Sequence, residues 1–235
     1  MSARGVVLRH VEGELASGRL QVGDRLPGER ALGTQLGISR PSVREGIRVL
    51  EAMGVIRTAP GSGTGAGAVI VADPSAGITS ALRLHLASSA LPVADVVRTR
   101  VLLETWSVRE ASRRADVAVL DAAAALLDAM DDAALSLKDF LLLDAEFHVT
   151  LSRASGNAVV AAIMASLREA IHGYLQPAAA GVSDWPAMTR RLRRQHRNVL
   201  AAVRAGEAER AARLVTRHIE GFDRTARSGA SGRLS

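Results

Sequence analysis

The chain has 235 residues, of which 48% are hydrophobic and 3% aromatic, and it carries a net charge of +6. This length suits two domains, and the scarcity of aromatic residues predicts aliphatic cores of the kind found in helical bundles. The absence of cysteine excludes disulfides and thiolate metal sites. No apolar run approaches a membrane span and no signal-peptide pattern is present, so we expect a soluble, cytoplasmic protein.

Three short helices are predicted at the start of the chain. Apolar residues recur at helical spacing over residues 4–17, and a second helix is expected over 29–36, stopped by Gly37. Ser39 is placed to cap a third helix, which tolerates Pro41 in its first turn. Its buried stripe is expected to include Met53. The pair of helices over residues 29–53 predicts a helix-turn-helix, whose second helix enters a DNA groove.

Basic side chains occupy one face of this third helix. Arg40, Arg44 and Arg48 follow one another at four-residue spacing, and arginine binds both guanine edges and phosphates. The alternative is an ordinary solvated helix face. The residues expected to contact DNA are Arg25, Arg30, Ser39, Arg40, Ser42, Arg44, Arg48, Gly63 and Thr64.

A β-hairpin is predicted directly after the helix-turn-helix. Two β-prone runs, residues 55–58 and 69–71, flank a glycine-rich segment over 61–67. In this position a hairpin forms the wing of a winged helix, and its glycines let the backbone approach DNA closely. Residues 73–75 then suggest a linker.

The rest of the chain shows only helical periodicity. We expect helices over residues 76–89, 92–115, 117–131, 137–153, 157–176, 184–205 and 208–227. Short connections between them predict antiparallel packing. The predicted fold is therefore mainly α: an N-terminal winged helix-turn-helix with a small β-hairpin wing, and a C-terminal antiparallel all-α bundle. The expected divisions are a DNA-binding domain (1–73), a linker (74–77), an effector and dimerisation domain (78–227) and a flexible tail (228–235).

Four residues of the helical half have the chemistry of metal ligands. Asp144 and His148 are four apart and lie on one helix face, while His196 and His218 lie on two later helices. One carboxylate and three imidazoles suit Zn²⁺, Ni²⁺ or Mn²⁺. The alternative is that these histidines are surface residues or hydrogen-bonded core residues.

Three segments of the N-terminal half resemble the winged-helix signature of the GntR family of bacterial transcription regulators. They are Arg25-Leu26-Pro27-Gly28-Glu29-Arg30, Ile38-Ser39-Arg40-Pro41-Ser42-Val43-Arg44-Glu45 and Leu50-Glu51-Ala52-Met53-Gly54-Val55. The resemblance covers nearly all of residues 4–73. It departs from the family at the wing, where residues 65–68 intervene before the apolar strand.

Residues 78–222 resemble the FCD ligand-binding domain of the FadR subfamily. The matching pieces are Arg100-x-x-x-Glu104, Asp144-x-x-Phe147-His148, Ala154-Ser155-Gly156-Asn157 and the two late histidines. The resemblance implies that Asp144, His148, His196 and His218 hold a divalent metal. It also implies that Arg100 and Asn157 bind a small carboxylate. The alternatives are an Arg100–Glu104 pair within the helix and a helix-capping role for Asn157.

Together these features predict a DNA-binding transcription regulator, expected to be a repressor that responds to an organic or sugar acid. Two recognition helices read two half-sites one turn apart, so we expect a homodimer on a near-palindromic operator. Two alternatives belong to other classes. One is a metal-dependent hydrolase that uses the Asp/His cluster, with Glu146 as the only acid inside the motif. The other is an architectural DNA-binding dimer that has no effector.

Overall fold

The computed structural model describes residues 3–59, 67–71, 73–88, 90–180, 182 and 184–231, without the side chains of 172–180 and 226–231. The chain divides into two compact units, residues 1–78 and 79–235. The elements of the described ranges are, in chain order, α1 (Ala3–Ala16), α2 (Glu29–Leu36), α3 (Arg40–Ala52), β1 (Ile56–Ala59), β2 (Gly67–Ile70), α4 (Pro74–Ala87), α5 (Val93–Arg114), α6 (Val117–Met130), α7 (Leu137–Ala154), α8 (Ala158–Ala180), α9 (Trp185–Arg204) and α10 (Ala208–Ser231). The predicted fold class, a winged helix followed by an all-helical domain, is confirmed.

Local sequence signals set the limits of α2 and α3. Gly37 ends α2 in the left-handed conformation, with φ of 65°, which glycine adopts without steric cost. The Ser39 hydroxyl then accepts the N–H of Ser42 and caps α3. The expectation that Met53 is buried is wrong: α3 ends at Ala52, and Met53 is 49% exposed.

The wing is a two-stranded antiparallel sheet. Its register runs from Ile56 opposite Ile70 to Ala59 opposite Gly67. On the other edge of β2, the N–H of Leu26 donates to Ala68 O at 2.9 Å. The connection between α1 and α2 is therefore fixed to the wing. The expected DNA contacts Gly63 and Thr64 lie outside the described residues.

Residues 74–77, where a linker is expected, form the first turn of α4. The Asp73 carboxylate accepts the N–H of Ser75 at 3.1 Å and its hydroxyl at 2.7 Å, and Pro74 begins the helix. Aspartate followed by proline and serine is thus a helix start here and not a turn. The last helix also continues to Ser231, beyond the predicted end at residue 227.

The second unit is a helical bundle in which α5 packs on α7, α8, α9 and α10, and α7 packs on α5, α6 and α8. Its core contains few aromatic residues besides Phe140 and Phe147, and is otherwise aliphatic, as the composition predicted. Among the described residues, no helix is both long and apolar enough to cross a membrane. The bundle therefore brings side chains from α5, α7, α9 and α10 toward one another.

Gly46 lets α1 and α3 approach closely, and we expect a substitution there to be costly. A Cβ at Gly46 would lie 2.6 Å from Cβ of the buried Val7. Overpacking of this kind costs about 1–3 kcal/mol. The helix-propensity gain of alanine is about 1 kcal/mol. Gly46→Ala should therefore lower the free energy of unfolding, measured by urea denaturation with circular dichroism.

Gly13→Ala is the matched control. Gly13 is also inside a helix, and among the described residues nothing lies within 4 Å of a Cβ built on it. We expect this change to stabilise the protein by up to about 1 kcal/mol through helix propensity. Equal effects of the two changes would contradict the packing role of Gly46.

Candidate metal centre and DNA-binding face

Four buried side chains converge inside the second unit. Asp144 and His148 come from consecutive turns of α7, His196 comes from α9, and His218 comes from α10. One ligand atom of each lies within 4.8 Å of the others. The structure thus brings together all four residues that the sequence named as metal ligands.

The distances between these atoms suit a shared cation. The Nε2 atom of His218 lies 3.1 Å from Nε2 of His148 and 3.1 Å from Nε2 of His196. Oδ1 of Asp144 lies 3.1 Å from Nε2 of His196 and 3.9 Å from Nε2 of His148. A proton can bridge only two such atoms, whereas one metal ion accepts lone pairs from all four. The donor set therefore fits a divalent metal.

The far sides of two imidazoles lie next to polar groups of neighbouring residues. Nδ1 of His148 lies 2.5 Å from Oε2 of Glu104, and Nδ1 of His218 lies 3.1 Å from Oε1 of Gln195. Ligating histidines commonly have such partners, which fix the tautomer and direct Nε2 toward the metal. Sequence reasoning assigned no role to Gln195.

Burial keeps the imidazoles of His148 and His218 in the neutral form that binds metals. Removal from water is the main cause that lowers the pKa of His148 to about 4 and the pKa of His218 well below its usual value. Burial acts in the opposite direction on Asp144, but Arg168 and the neighbouring histidines outweigh it and hold the pKa of this carboxyl well below its usual value. Three neutral or anionic donors are therefore available to a cation at neutral pH.

A small cavity adjoins the cluster. It is lined by Arg100, Leu141, Asp144, Arg168, His218, Ile219 and Phe222, and its free volume is about 10 Å³, which is about the space of one water molecule. Arg168 is buried and donates to Oδ2 of Asp144. The sequence analysis missed Arg168, although it follows ten uncharged residues of α8, a usable signal for a buried functional charge.

The two predicted effector-binding residues have different outcomes. Arg100 forms the pair with Glu104 that the alternative interpretation expected, with Nε 3.0 Å from Oε1. Arg100 also lines the cavity. Asn157 is exposed, and its carboxamide oxygen accepts the N–H groups of Val159 and Val160 at 3.0 and 3.1 Å. Asn157 therefore caps α8 and is not part of the described cavity lining.

The recognition helix of the first unit presents the expected basic face. Arg40, Arg44 and Arg48 are exposed, and Arg25 and Arg30 are exposed as well. The opposite side of α3 is buried in the core of the unit. This division into a buried face and a basic exposed face is what a groove-binding helix requires.

One arginine of this face is already held by an acid. Arg44 donates to both carboxylate oxygens of Glu29 at 3.0 and 2.8 Å, across α2 and α3. The Glu29 carboxylate raises the pKa of Arg44, and the arginine lowers the pKa of Glu29. Ser39 and Ser42 face each other with their hydroxyls 2.9 Å apart.

Two family models match the chain along most of its length. The model described as bacterial regulatory proteins, gntR family, matches residues 4–65, and the FCD domain model matches residues 95–221. The chain belongs to the GntR family. It is a transcription regulator with a DNA-binding winged helix and an FCD effector-binding domain.

Relatives of this GntR-family regulator cover most of its length. The Glc operon transcriptional activator of Escherichia coli (strain K12) is 30% identical over 204 residues, 84% of this chain and 78% of the relative. The HTH-type transcriptional repressor NanR of Edwardsiella tarda (strain FL6-60) is 28% identical over 205 residues, 84% and 75% of the two chains. The solved Streptococcus agalactiae GntR aligns with a TM-score of 0.65 at 23% identity, covering 95% of this chain and 99% of that one.

The family assignment also decides against the hydrolase interpretation. The relatives and the fold are those of transcription regulators and not of enzymes. The geometry agrees, because Glu146 is exposed and pairs with Arg153. The acid that the hydrolase alternative needed as a general base therefore lies outside the buried cluster.

Proposed function

We propose that this regulator is a homodimeric repressor that leaves a near-palindromic operator when a small carboxylate binds beside a divalent metal in the FCD domain. The observation that carries the proposal is the buried cluster of Asp144, His148, His196 and His218 next to a cavity with two arginines. A protein that binds operator DNA in bacteria acts in the cytoplasm.

The donor set supports a resident divalent metal. Asp144, His148, His196 and His218 would hold it, and Zn²⁺, Ni²⁺ and Mn²⁺ all accept imidazole and carboxylate ligands. When bound, the metal supplies a fixed positive charge and a coordination site for an oxygen of the effector. The chain's own residues orient the ligands and exclude water from the site.

The buried charges favour an anionic effector. Arg100 and Arg168 offset Glu104 and Asp144, so these four groups are balanced. A divalent cation then adds two positive charges in a region removed from water, where uncompensated charge is costly. A carboxylate offsets that charge, and guanidinium groups such as Arg100 bind carboxylates through two parallel hydrogen bonds.

The small size of the cavity supports coupling between binding and conformation. Ligand pockets typically have about 300–1,000 Å³, whereas this cavity has about 10 Å³. The apolar lining residues Leu141, Ile219 and Phe222 must move before a metabolite enters. An effector that binds only the opened form shifts the population toward it, and this shift is how we propose that the operator is released.

The groove-binding face supports a dimer on a two-fold symmetric operator. One recognition helix reads a short half-site, and two copies read two half-sites about one DNA turn apart. Among the relatives, NanR is a repressor and the Glc operon protein is an activator. A reporter gene placed under the control of a DNA sequence that the protein binds distinguishes the proposed repression from activation.

His196→Ala should lower the metal content of the purified protein to well below one ion per chain. His196 is fully buried at the cluster and its Nε2 atom contacts both Asp144 and His218. Metal content measured by mass spectrometry tests this, with circular dichroism as a check on folding. His85→Ala, which removes an exposed histidine of α4, is the matched control. Stoichiometric metal in the His196 variant would contradict the four-ligand site.

Arg44→Ala should weaken operator binding and relax base preference. A bidentate arginine–guanine contact contributes about 1–3 kcal/mol of discrimination. Fluorescence anisotropy with a DNA fragment selected from random sequences, and with mutated fragments, measures both effects. Arg113→Ala removes an equally exposed, ion-paired arginine of the FCD domain and should leave binding unchanged. Intact sequence-specific binding by the Arg44 variant would show that this residue does not read bases.

A thermal-shift screen of small hydroxy acids and sugar acids on metal-loaded protein tests the sensor function as a whole. We expect at least one acid to raise the melting temperature and to lower operator affinity, with both effects lost in EDTA. If neither EDTA nor any acid changes stability or DNA affinity, the protein is the architectural dimer instead.

A further inference from the structure

Glu104 is shared between a candidate metal ligand and a cavity-lining arginine. Arg100 donates to Oε1 through Nε at 3.0 Å, and one of its terminal nitrogens lies 2.9 Å from the same oxygen. Oε2 lies 2.5 Å from Nδ1 of His148. The three residues expose 4% or less of their surface. Both oxygens of one buried carboxylate are therefore committed to different partners.

The two partners belong to the two halves of the proposed sensor site. Nε2 of His148 faces the ligand atoms of Asp144 and His218, and Arg100 lines the cavity together with Arg168. Arg100 and Glu104 are one turn apart on α5. The two groups that connect the cavity to the cluster therefore lie on a single helix, and we call this connection the relay.

We propose that Glu104 couples the two halves, so that an anion bound to Arg100 tightens the metal and the metal tightens the anion. The inference rests on the proposed metal and effector sites. A carboxylate partner makes a ligating imidazole a stronger donor. Arg100 draws on the same carboxylate, and an anion that neutralises the guanidinium leaves more of the negative charge of Glu104 for His148. Linkage requires the two effects to be equal in size.

A double-mutant cycle tests the coupling with metal alone as the probe. Arg100→Gln removes the guanidinium charge and thus imitates an anion-neutralised Arg100, while Glu104→Gln removes the relay. Dissociation constants for Zn²⁺ and Ni²⁺ are measured by competition with a chromogenic chelator in the wild type, both single variants and the double variant.

We expect Glu104→Gln to weaken metal binding about 10–100-fold, the usual effect of losing such a partner. Arg100→Gln should tighten metal binding about 5-fold or more when Glu104 is present, and much less in the Glu104→Gln background. Equal tightening in both backgrounds would mean direct repulsion between Arg100 and the metal, which overturns the relay.

Further variants separate the relay from general structural effects. Glu146→Gln removes an exposed acid of α7 and should leave metal affinity unchanged. Glu104→Asp retains the carboxylate and should recover part of the affinity. If the Arg100→Gln protein does not fold, Arg100→Met replaces it, because methionine also removes the guanidinium charge and fills buried space; the same sign is expected.

The outcomes also separate this inference from the proposed function. Wild-type protein that binds neither metal would refute the metal site and the relay together. Wild-type protein that binds metal, with additive effects of the two substitutions, would refute the relay alone.

Discussion

The structure of the second unit depends on how charges are compensated where water is excluded. Arg100 and Glu104 form one buried ion pair, Arg168 and Asp144 form another, and three imidazoles lie beside them. Each ion removed from water costs several kcal/mol, and replacing such pairs by apolar residues is often neutral or stabilising. An aliphatic bundle has no structural need of this arrangement. The polar centre is therefore consistent with the metal and effector sites proposed above.

The same kind of ion pair has a different consequence on the DNA-binding face. Arg44 and Glu29 are both partly exposed, and an arginine–carboxylate pair in water contributes at most about 1 kcal/mol. Arg44 can therefore exchange its carboxylate for a base or a phosphate at small cost. Arg100 is buried with Glu104, so water cannot replace this carboxylate as the partner of the guanidinium. The difference in exposure thus leaves Arg44 able to change partners and keeps Arg100 paired with Glu104.

Local helix geometry accounts for what the sequence predicted well. The Ser39 cap, the Gly37 stop and the spacing of Asp144 and His148 depend only on residues within one turn, and the structure has all three. The contributions of Arg168 and Gln195 depend on which helices face each other, a non-local property that periodicity does not contain. The predicted start of α4 is residue 76 and not 74, because aspartate, proline and serine favour turns and helix N-termini alike.

In the proposed mechanism, the closed cavity also sets how much energy an effector delivers to the DNA-binding function. A ligand shifts a conformational equilibrium only by the difference between its affinities for the two forms, and moving it from 1:99 to 99:1 takes about 5.5 kcal/mol. A form with about 10 Å³ of free volume cannot bind a metabolite. Nearly all of the binding free energy of the effector is therefore a difference in affinity between the open and the closed form. Hydrogen bonds to charged groups contribute about 1.5–3 kcal/mol each. In the proposed mechanism, a carboxylate bound to the metal and to one guanidinium would supply enough energy to shift the equilibrium, and a pocket already open in both forms would supply less.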